Sequence, residues 1–281
     1  MITVHYSGRL GNNLFQYSLG RTLAEKMGYQ LQASSIEGFS GTETTVEGKT
    51  VTENPIQFYN QFLEMDGKHI SIDDVTKIKD RHIVLGGNGF FQRYEYYKPY
   101  KERIRKWFDI ENLDVGQTEE DVVIHLRMGD CITGFVPHRD PYIMPFEYYE
   151  TILLSSPFKN LYICSDPETL DHPIFLEYMK KFEKYSPVLL KGNTIEDFRA
   201  VKSFNKIIMS QSTFSWWAAF LSNASEIFVP VPAAERHPLG DEWSLASPGV
   251  ALFVDDESRY KYVKQYESEW FLENIEEIEE T

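Results

Sequence analysis

The chain has 281 residues, 42% of them hydrophobic and 25% charged, which is enough for two packed domains of ordinary size. Its formal net charge of −15 and pI near 4.9 exclude a partner held mainly through a nucleic-acid backbone, because that needs clustered Lys and Arg. Two cysteines, Cys131 and Cys164, make no disulfide framework, and no run approaches the ~18 apolar residues of a membrane span.

In chain order, Ile2–Tyr6 reads as a strand rather than the start of a signal peptide. A glycine turn follows at Ser7–Asn13, SGRLGNN. Phe15, Leu19, Leu23 and Met27 then recur every four residues up to Gly28, which predicts a helix stopped by glycine. Asn12 or Asn13 is placed to cap that helix, and its exposed amides suit an anion or sugar hydroxyls. A tight turn with a cap explains the same residues without a ligand. The segment 44–52, TTVEGKTVT, predicts a hairpin turning at Glu47-Gly48, and Ile83–Leu85 predicts another strand. Tyr100, Ile104, Trp107 and Phe108 mark a helix face. Tyr94, Tyr96 and Tyr97 fit either core packing or an acceptor groove. The polar stretch Asn112–Glu120 reads as a linker between domains.

Asp121–Asp130, DVVIHLRMGD, is a short apolar strand that ends in His125, Arg127, Gly129 and Asp130. Strands follow at Leu161–Cys164, Lys206–Met209 and Ile227–Val229, with helices predicted at Phe146–Leu154, Ile174–Tyr185 and from Phe214. Such a βαβ series implies a parallel sheet. Three successive strands end in polar residues: His125 and Arg127, Ser165 and Asp166, then Ser210, Ser212, Thr213 and Ser215. In open α/β sheets ligands bind at that edge, so the three ends predict one crevice. Arg127 can fork onto phosphate oxygens, and the Ser212–Ser215 helix start offers hydroxyls and amides to a phosphate. Asp166 has the wrong sign for phosphate and suits an N–H-rich edge such as guanine. A structural ion pair remains the alternative reading of Arg127. No Asp-x-Asp or Cys/His cluster is visible, so no cofactor or metal is expected, and charge on a departing diphosphate falls to Arg127 and helix termini.

The blocks SGRLGNN–LFQYSLGRTLA, GFFQ, VIHLRMGD, CSD and STFSWWAAFL, in this order, resemble glycosyltransferase family 11, the GDP-fucose-using α-1,2-fucosyltransferases. The resemblance implies an α/β GT-B architecture, two Rossmann-like domains facing across a cleft. Residues 1–115 would form the N-terminal domain, mainly the acceptor side, and 120–265 the nucleotide-sugar domain. The pattern of residues 266–281 predicts an acidic amphipathic helix. The implied reaction is inverting, metal-independent transfer of L-fucose from GDP-β-L-fucose to a galactose 2-hydroxyl of a galactose-terminated glycan. Arg127 matches the first arginine of the family's HxRRGD motif, at the donor diphosphate, and His125 its histidine. Asn12 matches the GNQ turn near donor sugar and acceptor, and Asp166 the acid of the SD motif near the base. Ser212, Thr213 and Ser215 match the helix start at the phosphates. Trp216 and Trp217 also match, and helical spacing marks Trp217 as core. His138, Asp140 and Asp130 are the candidates for general base, each with an equal structural reading. Met128 replaces the motif's second arginine and Asn13 the glutamine of GNQ, which leaves another nucleotide sugar open. A non-catalytic carbohydrate- or nucleotide-binding protein of the same fold is the rival of a different class. The expected setting is cytoplasmic, a microbial or viral form without a membrane anchor, with peripheral membrane association left open.

Overall fold

The computed structural model describes residues 1–133, 143–231 and 252–264. The chain divides into two compact units, Met1–Ile110 and Glu111–Thr281. Each is built on its own parallel sheet, so the α/β class expected from the sequence is the one observed.

Unit 1 opens with β1 (Ile2–Val4) and α1 (Leu10–Met27), followed by β2 (Leu31–Gln32) and β3 (Ile56–Phe58). A small antiparallel pair, β4 (Glu64–Met65) and β5 (Lys68–His69), precedes α2 (Ile72–Thr76). Then come β6 (Ile83–Leu85), α3 (Tyr94–Tyr97) and α4 (Lys101–Trp107). The sheet order is β2-β1-β6-β3, all parallel. Helix α1 buries residues on every side, from Leu14 through Leu19 to Leu23. Its stop is the one the sequence predicts: Gly28 sits at φ 64° and its N–H bonds to the Ala24 carbonyl. Its start is not. The helix begins at Leu10 after Arg9, so Asn12 and Asn13 lie inside the first turn and their amides bond to the Arg9 carbonyl instead of capping. Tyr94, Tyr96 and Tyr97 are buried core, and Ile104, Trp107 and Phe108 share the buried face around α4.

The hairpin expected over 44–52 does not form. That segment pairs with the chain after α1, Leu31 N–H bonding to Val46 O and Lys49 N–H to Gly28 O. A long-range parallel partner won over the local turn at Glu47-Gly48.

Unit 2 runs β7 (Val122–Leu126), α5 (Gly129–Thr133), α6 (Phe146–Ser155), β8 (Leu161–Ser165), α7 (Pro173–Phe182) and β9 (Val188–Leu189). It continues with α8 (Thr194–Ser203), β10 (Lys206–Ile208), α9 (Thr213–Leu221), β11 (Glu226–Val231) and β12 (Tyr260–Lys264). All five residues of β7 are buried, as a strand with both faces covered requires. The sheet order is β12-β11-β10-β7-β8-β9 with every pairing parallel. Counted from β7, this is the doubly wound order 3-2-1-4-5-6, and its direction reverses between β7 and β10. Trp217 is fully buried, as its spacing predicts, and Trp216 stacks on Phe220 at 5.0 Å and donates its indole N–H to Leu252 O at 3.1 Å.

In unit 2 the expectations miss α5, β9, α8 and β12, and in unit 1 they miss β2 to β5, α2 and α3. Helix α8 carried a readable signal: Asn193 and Glu196 form a reciprocal capping box ahead of the buried Phe198 and Val201. The expected terminal helix over 266–281 lies outside the described residues. No helix among the described residues is long and apolar enough to cross a membrane.

Candidate functional site

In unit 2 the chain leaves β7 and β10 on the same sheet edge, beside the reversal point, and the polar strand ends meet there. Arg127, half-buried, donates from Nη1 to the Gln211 carbonyl at 2.8 Å and so bridges the ends of the two strands. His125 is buried against the Phe214 ring at 4.9 Å, nearly parallel to it, and its Nδ1 lies 3.0 Å from Ser210 Oγ. Burial lowers the imidazole pKa to about 4; Asp166 opposes this and Arg127 adds to it. His125 is therefore neutral at neutral pH, and its contacts hold the loop that carries Ser210 rather than offering a cation to a ligand.

Loop 209–212 delivers the chain into α9, whose N-terminus lies at the same edge. Ser212 is the N-cap, its hydroxyl accepting from Phe214 N–H at 3.2 Å. Ser215 is fully buried and donates to the Ser210 and Ser212 carbonyls, so it shapes the loop instead of meeting a phosphate. Thr213 is half-buried in the first turn of α9.

Asp166 stands at the end of β8. Its Oδ2 accepts from Gly129 N–H at 2.9 Å and from Met128 N–H at 3.3 Å. A Cβ on Gly129 would sit 2.7–2.9 Å from that carboxylate, so only glycine allows the approach. The structure thus gives Asp166 a second task beside any contact with a base: it fixes the turn after Arg127. Met128, read in the sequence as a lost donor contact, is 1% exposed and packs in the apolar core of the unit. Cys164 is buried, and burial followed by Asp197 pushes its thiol pKa up, while Cys131 sits half-buried on α5. Of the base candidates, Asp130 falls on α5 with its side chain outside the description, and His138 and Asp140 lie outside the described residues.

In unit 1 the loops after β1 and β6 come together. Gln16, fully buried on α1, holds both: its Nε2 donates to Gly89 O at 2.9 Å and Ser7 Oγ at 3.0 Å, and its Oε1 accepts from Ser7 N–H at 3.1 Å. Ser7 Oγ in turn donates to Gly87 O. Asn12 Oδ1 accepts from Gln92 Nε2 at 2.9 Å. Gly8, at φ 75°, leaves room for Asn12, whose amide nitrogen would lie 2.3 Å from any Cβ there. Gln16 was not expected at this site, although a glutamine inside the apolar run LFQYSL is a signal for a satisfied buried amide.

Residues 178–241 match the family model of glycosyl transferase family 11. The chain is 28% identical over 172 residues to an α-1,2-colitosyltransferase of Escherichia coli, covering 54% of this chain and 57% of that protein. The match therefore spans little more than half of the relative's length. Among solved structures, the E. coli heptosyltransferase WaaC with ADP aligns over 99% of both chains at a TM-score of 0.47 and 11% identity.

Proposed function

We propose that the chain is a family 11 glycosyltransferase of GT-B type that moves L-fucose from GDP-β-L-fucose to a galactose 2-hydroxyl of a glycan, with inversion and without a metal. The observation that carries this reading is the Arg127–Gln211 bridge beside the α9 N-terminus, at the reversal point of a 3-2-1-4-5-6 sheet. A cation and a helix terminus at that crevice suit the diphosphate of a nucleotide sugar. The family match over 178–241 includes α9.

The proposed reaction is one in-line displacement at the anomeric carbon. A base takes the proton of the acceptor hydroxyl while its oxygen bonds to that carbon and the bond to GDP breaks. Arg127 and the start of α9 stabilise the charge that develops on the leaving diphosphate. His125 and Ser210 hold the loop, and Asp166 is assigned to the guanine side. The neutral amides and hydroxyl of the unit 1 loops are assigned to sugar hydroxyls.

A second reading is favoured by one observation, the similarity to an α-1,2-colitosyltransferase: the same α-1,2 link with colitose, which is L-fucose lacking its 3-hydroxyl. One experiment tests both. Thermal shifts are measured with GDP, UDP and a panel of nucleotide sugars, and product linkage is then determined with the donor that stabilises. A ligand at 100 times its Kd adds about 2.7 kcal/mol of stability. Stabilisation by GDP and GDP-fucose, with turnover that survives EDTA, is expected. Equal shifts with UDP, or turnover that EDTA abolishes and Mg²⁺ restores, would overturn the reading.

A further inference from the structure

The tyrosines that fitted an acceptor groove by sequence, Tyr94, Tyr96 and Tyr97, are core. One ring is left at the surface of unit 1. In a chain that is 15% aromatic, Tyr59 is the single Phe, Tyr or Trp that stands exposed among the described residues, at 42%. It follows directly on β3, at the edge where β1, β6 and β3 end side by side in parallel.

Its footing is glycine. A Cβ on Gly87 would lie 3.1 Å from Tyr59 Cβ and 3.2 Å from its Cγ, and one on Gly86 would lie 3.5 Å from its Cε1. Gly87 also sits at φ 61°, so both space and backbone select glycine there. The ring rests along the Gly86-Gly87 backbone, which the bond from Gly86 N–H to Phe58 O at 3.2 Å ties to β3. The exposed His5 also flanks Gly86, its Cβ 3.1 Å from where a Cβ on that glycine would lie. The neutral polar set of unit 1 starts at the same glycines, since Gly87 O accepts from Ser7 Oγ. The segment after Tyr59 joins that set: Gln61 Nε2 donates to Gln92 Oε1 at 3.3 Å, and Gln92 Nε2 donates to Asn12 Oδ1 at 2.9 Å. An open aromatic ring beside neutral donors and acceptors suits a sugar, because a pyranose offers C–H bonds on a face and hydroxyls at its rim.

We propose that Tyr59 is the platform on which the acceptor sugar stacks, and that it selects a galactopyranoside. The proposal rests on the reading of unit 1 as the acceptor side. The axial 4-hydroxyl of galactose leaves the C–H bonds of carbons 3, 4 and 5 together on one face, an apolar patch that fits the negative face of an aromatic ring. In glucose the 4-hydroxyl is equatorial and that patch is broken. The 2-hydroxyl of galactose lies outside the patch, so the stack leaves it uncovered for transfer.

The test is saturation-transfer NMR of the full chain with methyl β-galactopyranoside and methyl β-glucopyranoside, with and without GDP. Transfer is expected to be strongest at the protons on carbons 3, 4 and 5 of the galactoside and weak for the glucoside. Tyr59→Ala should bind the galactoside about tenfold more weakly, and Tyr59→Phe, which keeps the ring, should bind it as the wild type does. Should Tyr59→Ala melt early, Tyr59→Leu, which keeps apolar bulk on Gly87 without a π face, replaces it with an expected loss of about threefold or more. Wild-type binding by a folded Tyr59→Ala or Tyr59→Leu, strongest transfer at other protons, equal binding of the glucoside, or no transfer to the galactoside would overturn the proposal. The thermal shift with GDP is read on the same samples and should be equal in wild type and variants. Its absence from all of them, with the galactoside result intact, would fail the donor reading and still leave Tyr59 as the platform.

Discussion

His125→Asn tests the electrostatic reading of the unit 2 crevice. The imidazole is buried between Phe214 and Ser210, and burial holds its pKa at about 4 against a reference of 6.5. A group whose pKa is depressed by folding contributes stability above its unfolded pKa and loses it as pH falls through the folded one. The window is therefore about pH 6.5 down to about 4, where the unfolded chain binds a proton that the folded chain refuses. The difference of about 2.5 pH units corresponds to about 3 kcal/mol, an order-of-magnitude figure for a buried group. Asparagine keeps a polar atom near the Nδ1 position and does not titrate. The assay is urea unfolding of both proteins from pH 7.5 to pH 4. The variant is expected to be less stable at pH 7.5, because it loses the ring contact with Phe214, and the gap should shrink or reverse by about 3 kcal/mol towards pH 4. A gap that stays constant over that range would refute a neutral, desolvated His125.

Arg127→Ala should lower turnover by about 10²–10³ or more, since a preorganised donor at developing charge is lost, and Arg127→Lys should fail too because it lacks the planar fork. A folded Arg127→Ala with near-normal turnover would remove the catalytic role. A strongly lowered Tm in the same sample would point to the bridge to Gln211 as the main function. Asp166→Asn keeps an oxygen for the Met128 and Gly129 amides, so the fold should hold while the preference for GDP over UDP in thermal shifts weakens; an unchanged preference would take Asp166 away from the base. Gln16→Leu strands the Ser7 amide and the Gly89 carbonyl and removes a donor to the Ser7 hydroxyl, and should cost about 3 kcal/mol in urea unfolding. A loss below about 1 kcal/mol would show that water replaces the buried amide.

The sequence revealed what depends on short-range pattern. The strand over Val122–Leu126 is an apolar run bounded by charge, and its burial on both faces follows from that. Gly28 announced its helix stop, and Trp217 announced itself as core by spacing. The misses share a cause, which is partners distant in the chain. Residues 44–52 have hairpin chemistry, yet their hydrogen bonds go to 28–31. Asn12 has N-cap chemistry, yet the helix starts earlier and its side chain is taken by Gln92, 80 residues away. Strands β9 and β12 lie at the two edges of the unit 2 sheet, where half-buried residues give little hydrophobic contrast. At the site, the three polar strand ends were legible as a set. The division of labour within them was not, because it rests on backbone atoms: the Gln211 carbonyl under Arg127, the Ser210 and Ser212 carbonyls over Ser215, and the amides that Asp166 takes.

On the proposed reading, that division bears on how one chain would treat two sugars differently. Both units gather loops at the carboxyl edge of a parallel sheet, beside a central strand followed by a helix. Around β7 the groups include a guanidinium and the N-terminus of a nine-residue helix, both suited to negative charge. Around β1 the hydrogen-bonded set of Ser7, Asn12, Gln16, Gln92 and the Gly87 and Gly89 carbonyls is neutral, with donors and acceptors mixed. A diphosphate gains most at the first edge, where fixed positive charge needs little reorganisation, whereas sugar hydroxyls gain from the second, where each can both donate and accept. Met128 fits the same logic. Its side chain lies in the apolar core of the unit, so under the proposed function the donor edge would rely on the single guanidinium of Arg127 within this motif, and the loss of that group should be felt in the leaving of the diphosphate rather than in the binding of the acceptor.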